Sequence, residues 1–114
     1  MEVRQETRGG HLILTPDDSL ICGGRAEQFD NLLQEAIAAG HRQVIVDLGA
    51  VAHADSGGVR ALVRGHLTVL ETGGRVSLVN VPGNVQRVLH LLRLDTVFPI
   101  YDSVEAALAS VAGS

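Results

Sequence analysis

Apolar and polar residues alternate weakly over residues 3–7 and more firmly over 11–15, with Gly9-Gly10 between the two runs. A period of two marks strands with one covered face, and a glycine pair suits a tight hairpin turn. An antiparallel hairpin is predicted, ended by Pro16-Asp17-Asp18-Ser19. Over residues 25–39 the period lengthens to that of a helix. Ala26, Phe29, Leu33, Ala36 and Ile37 share one face, and Gly40 stands where a left-handed stop belongs. Val44-Ile45-Val46 is a continuous apolar run, the mark of a strand covered on both faces. A loop over 49–55 leads into a second helix over 56–72, halted by Gly73-Gly74. Residues 76–81 read as another buried strand. Pro82 is placed to begin a short helix with Val85, Val88, Leu89 and Leu92 on one side. Residues 97–100 suit a short edge strand. Asp102-Ser103-Val104-Glu105 reads as a capping box for a last helix that turns Val104, Ala107, Leu108 and Val111 inward.

Strands alternating with helices predict an α/β fold. The sheet is mixed: parallel at its centre, where helical crossovers join the strands, and antiparallel at the N-terminal hairpin. About four helices pack against it. No repeat, low-complexity tract or linker divides the chain, so residues 1–114 are expected to form one domain, with Ala112-Gly113-Ser114 as a loose end.

Composition narrows the function classes. Nine basic and thirteen acidic residues give a formal charge of −4, with no basic run. Neither nucleic acid nor an anionic membrane surface is the expected partner. Cys22 is the single cysteine, which excludes an internal disulfide and fits a reducing compartment. Nothing flanks it but Arg25 as a base, and its expected role is that of a small, inert filler. The N-terminus lacks the basic-then-apolar order of a signal peptide, and no apolar stretch approaches the roughly 20 residues that span a bilayer. A cytoplasmic location is expected.

The candidate chemistry lies in Asp55-Ser56-Gly57-Gly58, at the start of the second helix. Ser56 can be read as an N-cap, whose hydroxyl accepts a bond from an amide of the first turn. It can also be read as a regulated hydroxyl in a strand-to-helix loop within reach of partners. Plotted at about 100° per residue, Val59, Leu62, Val63, Val69 and Leu70 face the sheet. Gly57, Ala61, Gly65 and Thr68 form a small-residue stripe on the opposite side. Such a stripe beside Ser56 reads as a docking face, since small residues let another backbone come close. Arg60 and Arg64 follow one and two turns beyond Ser56, either as a solvated charged edge or, for Arg60, as a partner for a phosphate on Ser56. The helix N-terminus would favour the same anion.

The order and spacing of several segments resemble the STAS family, specifically the free-standing anti-sigma factor antagonists. The segments are the strand ending at Asp47, Asp55-Ser56-x-Gly58, Gly73-Gly74-Arg75, Asn80-Val81, Val88-Leu89, Leu94-Asp95 and Phe98-Pro99-Ile100-Tyr101-Asp102-Ser103. The resemblance implies a phosphorylation-controlled partner switch. With Ser56 unmodified, the chain would bind an anti-sigma factor that is also a serine kinase and so free a sigma factor. Phosphorylation of Ser56 would release the kinase, and a serine phosphatase would reset the switch. ATP and magnesium would belong to the kinase, so the resemblance implies no cofactor, no metal and no catalytic residue in this chain. Carried over by motif, Ser56 is the phosphoacceptor and Asp55 its neighbouring loop residue; with the stripe and the arginines, the expected partner-binding set is Asp55, Ser56, Gly57, Gly58, Arg60, Ala61, Arg64, Gly65 and Thr68. The chain departs from the family pattern at Gly57, where many relatives carry a second serine. It departs also at Cys22, in place of the usual Asp of a Gly-x-Leu-Asp motif, and at Arg60 and Arg64, where small residues are frequent.

Two other readings compete. An enzyme would need a constellation around Ser56, but the chain has no Gly-x-Ser-x-Gly elbow, and His11, His41, His53, His66 and His90 are scattered without metal-ligand spacing. His53 is expected in the loop, and His66 falls on the apolar face of its helix as a satisfied core or edge histidine. The second alternative is a phosphorylation-independent binding subunit of a stress-signalling assembly or of a transporter ATPase.

Overall fold

The computed structural model describes residues 3–17 and 24–112, apart from the side chains of residues 24, 25, 56, 111 and 112. Cys22 and its neighbours at 19–21 therefore lie outside the described residues, as do the inward position expected of Val111 and the end of the chain beyond residue 112. The elements are β1 (Val3–Arg8), β2 (His11–Pro16), α1 (Gly24–Ala38), β3 (Gln43–Asp47), α2 (Ser56–Leu70), β4 (Arg75–Val79), α3 (Gly83–Leu91), a 3₁₀ turn (Leu94–Thr96), β5 (Ile100–Tyr101) and α4 (Val104–Ala112).

The five strands lie in chain order, β1-β2-β3-β4-β5. β1 and β2 form the antiparallel hairpin, turned at Gly9 (φ +57°) and Gly10 (φ +84°), and every later pairing is parallel. This is the expected mixed sheet. Because the order advances one strand at a time, right-handed crossovers carry α1, α2 and α3 across the same face. There Leu12, Leu14, Val44, Val46, Val76 and Leu78 of the sheet meet Phe29 and Leu33 of α1, Leu62 and Val69 of α2, and Val85 and Leu89 of α3. α4 covers the other face, setting Ala107, Val104 and Leu108 against Ile13, Ile45 and Val79.

Several boundaries differ from the periodicity, each for a local reason. Leu70 was expected to face the sheet and Leu92 to share the apolar side of its helix, yet they are 51% and 50% exposed: Leu70 is the last residue of α2, and Leu92 is the C-cap that follows α3. β4 stops at Val79 because Asn80 turns into the left-handed region at φ +53°. Pro82 stands at the N-cap of α3, one place earlier than expected, and Gly83 opens the helix. The edge strand is later and shorter than 97–100: Arg93 at φ +59° and the 3₁₀ turn draw Phe98 into the core, and pairing begins at Ile100. At α4 the cap is Ser103, whose Oγ accepts from the amide of Ala106 at 3.1 Å, while Glu105 turns to Arg8 at 3.5 Å.

The candidate site at the start of α2

The residues before α2 sit at the carboxyl ends of β3 and β4, where open parallel sheets present their loops. Their loop is held at several points. Asp47 Oδ1 accepts from Gly49 N at 2.9 Å and from Asn80 Nδ2 at 3.2 Å, which joins the ends of β3 and β4. Leu48 N donates to Val79 O at 3.0 Å, and Leu48, Val51 and Ala54 bury their side chains as anchors. Asn84, in the first turn of α3, donates through Nδ2 to Ala52 O and lies 3.4 Å from His53 Nδ1. A loop tied to two strands and a neighbouring helix gives α2 a fixed starting point.

The cap of α2 is Asp55, not Ser56. Its backbone is extended (φ −98°, ψ −172°), and its Oδ1 accepts from Gly57 N at 3.0 Å and Gly58 N at 3.1 Å. Ser56 becomes the first helical residue instead. Aspartate and serine are both strong caps, and the carboxylate adds a charge suited to the positive end of the helix dipole. The two amides expected to welcome a phosphate already serve this carboxylate.

The small-residue stripe is also corrected. Ala61 and Gly65 are buried, and they face α1 rather than an incoming partner. A Cβ on Gly65 would lie 2.0 Å from Leu33 Cδ2, so glycine is what permits the two helices to close at this level. Gly58 is buried and Gly57 half-buried. Thr68 is half-buried, and its Oγ1 donates to Arg64 O at 2.9 Å within its own helix. Of the nine residues singled out, Asp55, Gly57, Arg60 and Arg64 gather with the Ser56 position around the first turns of α2. Ala61 and Gly65 serve the helix packing.

The space left between α1 and α2 is a slot of about 210 Å³ lined by Ala26, Glu27, Asp30, Gly57, Arg60, Ala61 and Arg64. Arg64 Nη1 contacts Asp30 Oδ2 at 3.0 Å. Asp30 is buried, and its Oδ1 has no hydrogen-bond partner among the described residues. Arg60 is exposed and has no ion pair among them. Asp30 was missed in the sequence, although its signal was there: it stands on the buried stripe 26-30-33-37, where a charge requires a partner.

Among the described side chains the histidines form no common site. His66 is buried with its ring centroid 5.0 Å from that of Phe98; it is not satisfied as expected, since Nδ1 has no partner among the described residues. Burial lowers its pKa from the ordinary 6.5. His90 Nδ1 meets Asp95 Oδ2 at 2.9 Å, and that hydrogen bond holds the Asp95 carboxyl below its usual range. Among the described residues, no group of three His, Cys, Asp or Glu side chains could hold a metal ion. No helix among them is long and apolar enough to cross a membrane.

Residues 2–107 match the STAS domain family. A Thermotoga neapolitana relative, the TM1081 homolog, provisionally named an anti-sigma factor antagonist, is 32% identical over 85 residues, covering 75% of this chain and 72% of its own length. The crystal structure of TM1081 from Thermotoga maritima, under the same provisional name, is similar with a TM-score of 0.91 at 26% identity, covering 96% of this chain and 94% of that one. The anti-sigma factor antagonist SpoIIAA is similar in its unphosphorylated form, with a TM-score of 0.76 at 20% identity and coverage of 99% and 100%. Bacillus SpoIIAA in its phosphorylated form gives 0.75 at 19%, with coverage of 96% and 99%. At those identities the likeness to SpoIIAA is one of fold.

Proposed function

From the premise that this chain belongs to the STAS domain family, we propose that it is an anti-sigma factor antagonist whose choice of partner is set by phosphorylation of Ser56. In this reading the unmodified chain binds an anti-sigma factor with serine kinase activity and so frees a sigma factor. The kinase then phosphorylates Ser56 with its own ATP and magnesium and is released, and a serine phosphatase restores the binding form. The chain itself performs no chemistry.

The observation that carries the reading is the division of labour between Asp55 and Ser56. Asp55 caps α2, so the neighbouring serine can change its chemistry without unmaking the helix. The loop is braced by Asp47, Asn80 and Asn84, which suits a residue that must be presented in a constant position. Asp55, Gly57, Arg60 and Arg64 are the proposed contacts around it. The fold of SpoIIAA, which this chain shares, has been solved in unphosphorylated and phosphorylated forms, so a domain of this shape tolerates the modification.

The test is incubation with a cognate anti-sigma kinase and ATP, followed by intact mass and site mapping. One phosphate on Ser56 is expected, none on Ser56→Ala, and loss of binding in Ser56→Asp. Equal binding by both variants would sink the switch and leave a phosphorylation-independent binding subunit.

A further inference from the structure

We propose that the chain forms a two-fold dimer through an apolar groove between the C-terminal ends of α2 and α3, at the opposite end of α2 from Ser56. The inference does not depend on Ser56 being a phosphoacceptor.

The large apolar side chains that stand exposed among the described residues are Leu67, Leu70, Leu91, Leu92 and Val97. All of them belong to these two helix ends and to the turn that follows α3. His66 of α2 joins the two sides, its ring against that of Phe98 beside Val97. At about 100° per residue, Val63, His66, Leu67 and Leu70 share the side of α2 away from Gly65, which packs on α1. On α3, Val88, Leu91 and Leu92 share the flank of Asn84, whose side chain reaches the loop that leads into α2. The two apolar flanks therefore face each other across a groove, with the half-buried Val63 and Val88 at its base against the main core. Exposed apolar residues scattered singly are ordinary, but a contiguous set rimmed by polar groups marks a contact surface.

A second copy is the occupant that fits, because the groove is self-complementary in charge. Its α2 side ends in Glu71 and its α3 side in Arg93, both exposed and without an ion pair among the described residues. A two-fold axis along the groove lays α2 of each copy on α3 of the other. Leu67 and Leu70 then meet Leu91 and Leu92 of the second copy, and Glu71 meets its Arg93, each contact made twice by symmetry. The exposed edge strand β1 is a poorer candidate, because Arg4, Glu6 and Arg8 guard it against strand pairing. Ser56 lies about 21 Å from Leu70, at the other end of a 15-residue helix, so the dimer leaves both Ser56 loops open. Five aliphatic side chains per copy make a small interface, and the dimer should dissociate on dilution.

The full, unmodified chain is followed by sedimentation velocity from micromolar to millimolar concentration. A monomer–dimer equilibrium is expected. Amide chemical shifts should change on dilution over residues 63–71 and 88–97, while those of 3–8 and 49–58 stay in place. Leu91→Lys, at the most exposed of the five positions (72%), should raise the dissociation constant about tenfold or more while the monomer keeps its circular dichroism spectrum. Glu71→Arg and Arg93→Glu should each weaken the dimer several-fold, and the double reversal should restore it. A chain that stays monomeric at millimolar concentration overturns the inference and leaves the groove to a different protein. So do a dimer indifferent to Leu91→Lys, shifts that map to β1, and a double reversal no tighter than the single ones. None of these measurements involves a kinase, so failure to phosphorylate Ser56 and failure to dimerise are separate results.

Discussion

Replacing Gly65 by alanine tests whether the small residues of α2 serve the inside of the protein or its outside. On a solvent-facing helix the change should stabilise, since alanine is better than glycine by about 0.8–1 kcal/mol. Here the new methyl would lie 2.0 Å from Leu33 Cδ2 and 2.7 Å from Cγ. Ordinary carbon contacts are about 3.5–4.0 Å. The end of a leucine is normally easy to displace, but Leu33 is fully buried in the core on the inner face of α1. The helices must part instead, and overpacking of this kind costs about 1–3 kcal/mol. After the gain in helix propensity, a net loss of about 1 kcal/mol remains, or about 4 °C in Tm for a domain of this size. A double-mutant cycle sharpens the test. Leu33→Ala alone should cost about 2–5 kcal/mol, while Gly65→Ala added to it should stabilise, because the methyl enters the space left behind. That reversal of sign is the signature of contact. Thermal and urea melts of the four proteins suffice. A Gly65→Ala chain more stable than its parent, or costs that simply add, would refute the packing argument and return the stripe to the surface.

Asp55→Ala should lower the urea midpoint by the equivalent of about 1 kcal/mol with an unchanged slope, while Asp55→Ser should recover most of the loss; no loss would mean that another group caps α2. His66 has its pKa lowered below 6.5 by burial. The unfolded chain therefore binds its proton more readily, so this contribution to stability is complete above 6.5 and is lost as pH falls through the folded-state pKa. His66→Leu should flatten the fall of the urea midpoint between neutral pH and about pH 5, and an identical pH profile would show that His66 is readily charged in the folded chain. Phosphate at Ser56 should move Tm by no more than about 2 °C, since pairing with Arg60 and repulsion by Asp55 are opposed effects of a few tenths of a kcal/mol each; a much larger shift would mean that the phosphate reorganises the fold.

Periodicity made the fold legible because each helix turns an apolar face to the core that lies on the sheet. Ala26, Phe29, Leu33 and Ile37 are buried as their spacing predicts, and the glycine pair turns the hairpin where it stands in the sequence. Position along a helix was harder to judge at its edges and ends. Aspartate and serine are adjacent and both cap well, so the one-residue difference between them is decided by backbone direction. The stripe on α2 shows a deeper limit. Its composition permits a close approach, but whether the approaching helix is α1 or a partner depends on a strand order that spacing alone does not encode. Leu33, the residue that explains Gly65, stands 32 positions earlier in the chain.

The same neighbour accounts for the electrostatics of the site. α1 brings Leu33 against Gly65 and, one turn nearer its start, Asp30 against Arg64. Packing and charge are thus coupled through one helix pair: the close approach that glycine allows is what carries a buried carboxylate within 3.0 Å of an arginine on α2. Were α1 farther away, Arg64 would lose this partner and stand as a surface cation. With α1 in place, the positive end of α2 is committed on both counts, its amides to Asp55 and its second arginine to Asp30. Among the described residues, a negative charge added at Ser56 finds Arg60 one turn away without an ion pair. In the proposed reading, its main effect falls on whatever approaches from outside, as a switch that changes partners without changing shape requires.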